Sequence, residues 1–216
     1  MLIPNGMRDV RKEISLQERL LIRKKYHISK DEKIILFVGR LQPSKGVSIL
    51  INAFKLVIKK YENCRLVLVG IGLDSDFTQA IKQCDQVWSK ITFTGAINRQ
   101  VLFNWYHIAE IGVIPSYSEQ CSCVGMEMMM FHLPIVASDA YGVRNMFNEG
   151  CNALIAKIGD RNNDSEFVKT LANRILELLL NVEKKKQLAL NARKMYEERY
   201  TIEIMRNRYK KLLCDL

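Results

Sequence analysis

Short apolar runs recur along this chain, each too short for an ordinary helix. Longer segments separate them, and there the apolar residues return every three or four positions. Residues 33–40 (KIILFVGR) form the clearest run, continuous, rich in β-branched side chains and closed by Gly39 and Arg40. A strand that is apolar on both sides is buried on both faces, as in a parallel sheet covered by helices. Similar runs occupy residues 65–69, 91–94, 111–115, 135–138 and 153–156. Helices are expected over 15–26, 47–61, 76–88, 99–109, 124–131, 165–180, 183–200 and 202–213, with a short helical turn at 143–148. Strands alternating with helices predict an α/β fold, a doubly wound parallel sheet of about six strands. Right-handed crossovers would then place helices on both faces.

With 216 residues the chain can build one domain around a sizeable core. No apolar run approaches the roughly 20 residues that span a bilayer. The segment Met1-Leu2-Ile3-Pro4-Asn5-Gly6 lacks the basic and long apolar stretches of a signal peptide, so a cytoplasmic location is expected. The six cysteines are scattered apart from Cys121 and Cys123, no Cys-x-x-Cys occurs, and the three histidines are far apart. That spacing does not predict a zinc site, and reduced thiols are the expectation. The formal net charge of +10 is spread over helices such as 19–25 and 184–194. No aromatic residues interleave with it, so nucleic acid is not expected as a partner. Most of this charge is a solvated face, and attraction to an anionic inner membrane surface is the second reading.

Three segments can carry chemistry. Gly39-Arg40-Leu41-Gln42-Pro43-Ser44-Lys45-Gly46 follows the first strand, on the sheet edge where such folds bind ligands. Arg40 could chelate two phosphate oxygens there while Lys45 acts as a point charge. Gly70-Ile71-Gly72 follows the second strand, but position 75 is Ser and position 92 is Thr, so the dinucleotide-binding pattern is not met. Glu119 and Glu127 lie eight positions apart after the fourth strand. On one helix they would diverge by about 80°. They fit better if 116–122 is a loop and a helix starts near Cys123, with Ser122 as its N-cap. Glu119 then points from the loop into the cleft, and the helix start offers free N–H groups to a phosphate. Taken singly, each of these residues has an ordinary explanation as a solvated loop or helix-start charge. Their convergence on one edge is harder to explain that way.

These motifs appear in a fixed order, from Gly39-Arg40-Leu41 and Lys45-Gly46 through Leu68-Val69-Gly70-Ile71-Gly72 and Pro115-Ser116 to Glu-x7-Glu and Leu133-Pro134-Ile135-Val136-Ala137-Ser138-Asp139. Over almost its whole length the chain resembles the Rossmann-like C-terminal, donor-binding half of family 4 retaining glycosyltransferases of the GT-B fold. Ile3-Pro4-Asn5-Gly6 resembles the segment that leads into this half. The resemblance implies that residues 1–216 form one nucleotide-sugar-binding domain whose C-terminal helices begin near 165. It implies a UDP- or GDP-sugar as donor substrate, with no cofactor and no metal.

By the same resemblance Arg40 and Lys45 hold the donor diphosphate, Glu119 contacts the donor sugar and Glu127 binds the ribose hydroxyls. The backbone at Gly39 and from Cys121 through Ser122 and Cys123 to Val124 would touch sugar or phosphate. Gly72 would lie near the nucleotide and Ile97 near the base. The chain also departs from the family's usual residues. Gln120-Cys121-Ser122 replaces Gly-Phe-Gly, His132 replaces a glycine, Tyr141-Gly142 replaces Gly-Gly, and Asn145 replaces a glutamate. His132 is expected to be a turn residue, not a catalytic one.

Nothing in these residues corresponds to the family's N-terminal, acceptor-binding half. The chain alone is therefore expected to bind donor without turnover. Exposed apolar residues on its last helices are expected to invite dimerisation. A non-catalytic nucleotide-sugar-binding module, or one subunit of a split enzyme, is the alternative. A sugar-nucleotide 2-epimerase fits the Glu-x7-Glu spacing less well.

Overall fold

The computed structural model describes residues 3–214. A helix α1 (Leu16–Lys25) precedes strand β1 (Lys33–Val38), then α2 (Val47–Ile58), β2 (Cys64–Val69), α3 (Asp74–Cys84), β3 (Ile91–Gly95) and α4 (Arg99–Ile108). The chain continues with β4 (Ile111–Ile114), α5 (Cys123–Met130), β5 (Ile135–Ser138), β6 (Leu154–Ala156), α6 (Ser165–Leu180), α7 (Val182–Arg199) and α8 (Ile202–Cys214). All six strands are parallel, in the order β3-β2-β1-β4-β5-β6. Parallel strands alternating with helices make a doubly wound α/β sheet.

The apolar runs account for this sheet. Ile34, Ile35, Leu36 and Phe37 of β1 are buried, and so is every residue of β2 except Arg65. Helix α2 packs on α3 and α6, while α4 packs on α1 and α5 on α7. Rings of Phe103, Tyr106 and His107 from α4 meet Phe131 at the end of α5. The helix starts are capped by short polar side chains, among them Ser15, Asn98, Ser122 and Asn181.

One expected element differs. The helix after β2 leaves the α-helical path at Asp85 and finishes as a 3₁₀ helix over Asp85–Lys90. The helical turn expected at 143–148 is present, with Arg144 N–H on the Ala140 carbonyl and Phe147 N–H on the Val143 carbonyl, and it does not grow into a helix. The Asn152 side chain takes the Asn148 N–H at 2.7 Å and donates to the Met146 carbonyl at 3.1 Å. Those are backbone groups that a continuing helix would have used.

Candidate functional site

Strands β1 and β4 lie side by side, but the chain leaves them in opposite directions, from β1 to β2 and from β4 to β5. Such a switch leaves a crevice beyond the carboxyl ends of the two strands. The loops following β1 and β4 border it, and Tyr117 N–H donates to the Ser44 carbonyl at 2.9 Å to tie them together. The resulting cleft has a volume of about 510 Å³. Gly39, Arg40 and Lys45 line it from one loop, and Ser116, Glu119 and Cys121 from the other. Ser122, Cys123 and Val124 at the start of α5 complete the wall.

Lys45 and Glu119 meet here, 74 positions apart in sequence, with Nζ 2.6 Å from Oε1. Their side chains are 21% and 15% exposed, so the pair is mostly withdrawn from water. Ser116 Oγ donates to the same Oε1 at 3.0 Å. Two glycines make this approach possible. Gly46 has φ +70°, and a Cβ there would meet the Pro115 carbonyl oxygen at 2.0 Å. Gly142 has φ +84°, and a Cβ there would meet the Glu119 carbonyl oxygen at 1.7 Å. Arg40 is exposed and makes no ion pair among the described residues.

The loop ends at Ser122, whose Oγ accepts the Gly125 N–H at 3.1 Å as an N-cap. The helix begins at Cys123, as the spacing of the two glutamates predicts. Cys123 and Val124 therefore open α5 with N–H groups that have no acceptor within the helix. Burial pushes the Cys121 thiol up, and the neighbouring Cys123 and Glu119 act the same way against the Asn5 N–H. An unpaired guanidinium, an ammonium on a carboxylate and a helix start together suit an anion with a polar, hydroxyl-rich extension.

A sequence model of the family described as glycosyl transferases group 1 matches residues 18–195. The chain belongs to that family. It is 32% identical over 141 residues to an uncharacterised glycosyltransferase of Methanocaldococcus jannaschii, matching 65% of this chain and 36% of that protein. Among solved structures it is similar to HepE of Anabaena, solved in complex with UDP. There the TM-score is 0.86 at 21% identity, over 99% of this chain and 57% of that one. It is also similar to the C-terminal domain of a group 1 glycosyl transferase from Francisella tularensis, with TM-score 0.72 at 19% identity over 85% and 93% of the two chains. The chain spans less than half the length of the curated relatives it matches.

In this group 1 glycosyltransferase chain, three expected site residues lie outside the wall of the cleft. Glu127 is buried in α5, where Tyr106 donates to its Oε2 at 2.8 Å and Arg99 Nη2 reaches its Oε1 at 3.3 Å. Burial and the Glu127 charge hold the Tyr106 hydroxyl well above its ordinary pKa. Gly72 backs onto the loop after β1, where a Cβ would meet the Leu41 carbonyl oxygen at 2.2 Å. Ile97 is half-buried against the core, just before α4. The sequence reading missed Ser116, Tyr106 and Arg99. Ser116 follows β4 directly, a position that could have signalled it. Tyr106 and Arg99 come from a different helix, and no local pattern marks them.

His132 stands where the family usually has glycine, and its φ is +56°. It terminates α5, with its N–H on the Met129 carbonyl and the Leu133 N–H on the Met128 carbonyl, a Schellman ending that favours glycine. One Asp-x-Asp does occur, Asp74-Ser75-Asp76, and its acids sit in the first turn of α3. Among the described residues no three His, Cys, Asp or Glu side chains cluster to hold a metal ion.

Proposed function

We propose that this chain is the nucleotide-sugar-binding part of a family 4 retaining glycosyltransferase acting in glycan or glycoconjugate synthesis, with a UDP- or GDP-sugar as donor. The observation that carries the reading is the Lys45–Glu119 pair at the switch point, with Arg40 unpaired beside it. Arg40 and Lys45 take the diphosphate, Lys45 turning from Glu119 to the phosphate oxygens. Their charge, with the N–H groups that open α5, stabilises the diphosphate as it leaves the sugar. Glu119, released from Lys45, accepts hydrogen bonds from the sugar hydroxyls.

Glu127 offers its Oε1 to the ribose while Tyr106 holds Oε2. Gly72 and Ile97 lie toward the nucleotide and its base. The reading uses no metal or cofactor. The body of the acceptor site belongs to the length of the relatives that this chain does not match. The chain by itself then binds donor without turnover, and this span also favours a second reading, a binding module that acts only with a companion subunit. Among the described residues no helix is long and apolar enough to cross a membrane. The reading places the protein in the cytoplasm, with the charge of +10 drawing it to an anionic inner surface. Exposed Leu190, Tyr209 and Leu213 on α7 and α8 form a surface for a second copy or a companion domain.

Calorimetric titration with UDP and with GDP tests the donor reading. One nucleotide should bind in the micromolar to low-millimolar range, and Lys45→Ala should weaken it about 10- to 100-fold, as for loss of a charge-assisted hydrogen bond. Equal binding by the variant would remove Lys45 from the site.

A further inference from the structure

A second hollow of about 570 Å³ adjoins the first cleft and shares Cys121 with its wall. Two arginines line it, Arg199 in the last turn of α7 and Arg208 in α8. Arg193, earlier on α7, is paired with Asp9 and Glu197, whereas Arg199 and Arg208 have no acidic partner among the described residues. Among the described residues no Asp or Glu lines the hollow. Arg199 is exposed and Arg208 half-buried, and both line the same hollow beside the buried Tyr200. On a convex surface two arginines are simply solvated. In a concave wall without counter-charge they form a field that an anion fills.

Four of the departures from the family's residues fall in the same place, though Ser122 and His132 do not. Gln120, Cys121, Tyr141 and Asn145 all line this hollow. Asn145 puts a neutral amide where the family usually has a carboxylate, which removes the acid that would have repelled an anion. Two guanidiniums with amide donors beside them suit the oxygens of a phosphate.

We infer that this hollow is a subsite for a phosphate ester, and that the phosphate belongs to the sugar acceptor. The acceptor assignment rests on the donor reading of the first cleft. The 119–123 loop borders both hollows, so an acceptor anchored by its phosphate would lie next to Glu119.

The test is calorimetric titration of the chain with glycerol phosphate, and separately with UDP, for the unchanged protein, the Arg199→Gln/Arg208→Gln double variant and Lys45→Ala. Arg208→Lys, with thermal unfolding, controls for folding. Glycerol phosphate should bind about 10- to 100-fold more weakly to the double variant and unchanged to Lys45→Ala, while UDP shows the reverse pattern. Sedimentation with vesicles of equimolar phosphatidylcholine and phosphatidic acid distinguishes the sources. Retention that the double variant loses places the phosphate on a lipid acceptor, and glycerol-phosphate binding without retention places it on a soluble one. If the double variant binds both probes as the unchanged chain does, or if Lys45→Ala alone abolishes phosphate binding, the subsite is refuted. Failure of UDP to bind, with the phosphate result intact, would refute the donor reading and with it the acceptor assignment, and would leave the phosphate subsite standing.

Discussion

Both ends of the sheet hold one carboxylate and two cations, and only one end is closed. At the amino ends of β1, β2 and β3, Glu32 is 5% exposed and takes both cations. Arg65 Nε donates to Oε2 at 3.1 Å, Arg65 Nη2 and Lys90 Nζ reach Oε1 at 3.3 and 3.0 Å, and Ser29 N–H adds a fourth bond. At the carboxyl ends of β1 and β4, Glu119 takes Lys45 alone and Arg40 stands open beside the 510 Å³ cleft. The same residue types make a staple where every bond is closed within the fold, and an open cleft where one charge is left over. What separates them is loop geometry, above all the two glycines that hold Lys45 and Glu119 around an opening.

If this contrast is right, changes at the two ends should have different kinds of effect. The largest effect on stability is expected at the staple. Glu32→Ala leaves Arg65 and Lys90 uncompensated at a largely buried position and should cost about 3 kcal/mol in urea unfolding, with UDP affinity unchanged. Gly142→Ala should cost at least about 2 kcal/mol, because it needs a left-handed residue and displaces the Glu119 carbonyl. Unlike Glu32→Ala it should also weaken UDP binding, which calorimetry reads directly.

The smallest effect concerns His132, away from both ends. Removing its left-handed strain by His132→Gly should add about 1 kcal/mol of stability. Burial first, then Arg11 and Arg193, hold its pKa below the ordinary histidine value, and Glu197 and Glu13 pull only partly the other way. The folded chain therefore favours the neutral ring. That contribution to stability is full above about pH 6.5 and is lost as pH falls through the lower folded-state value. His107 is shifted in the same direction, by burial and then Arg19 and Arg11. Urea unfolding at a series of pH values should show acid destabilisation in the parent and a weaker slope in His132→Gly. An unchanged slope would assign the effect to His107.

The strands were legible because a strand buried on both faces leaves an unbroken apolar run, and all six fall within a residue or two of the expected places. Arg40, Lys45 and Glu119 were legible for a related reason: each lies on a loop directly after a strand, where topology alone fixes the edge. Their mutual distance was not, since it depends on Gly46 and Gly142 letting two loops touch. The partners of Glu127 were not legible, because Tyr106 and Arg99 reach it from another helix. The Glu32 cluster escaped notice altogether, because Asp31-Glu32-Lys33 reads locally as a solvated turn and its partners lie 33 and 58 positions away. The helical turn at 143–148 was legible, and it stops where one side chain, Asn152, takes the backbone groups that would extend it.

The most direct test of the contrast is UDP and GDP titration of Lys45→Ala beside Glu32→Ala, each paired with urea unfolding. Lys45→Ala should lose about 10- to 100-fold in affinity while staying within about 1 kcal/mol of the parent stability, and Glu32→Ala should do the opposite. If both variants lose stability alike and neither loses nucleotide affinity, the Lys45–Glu119 pair is a second staple and the cleft is not the donor site.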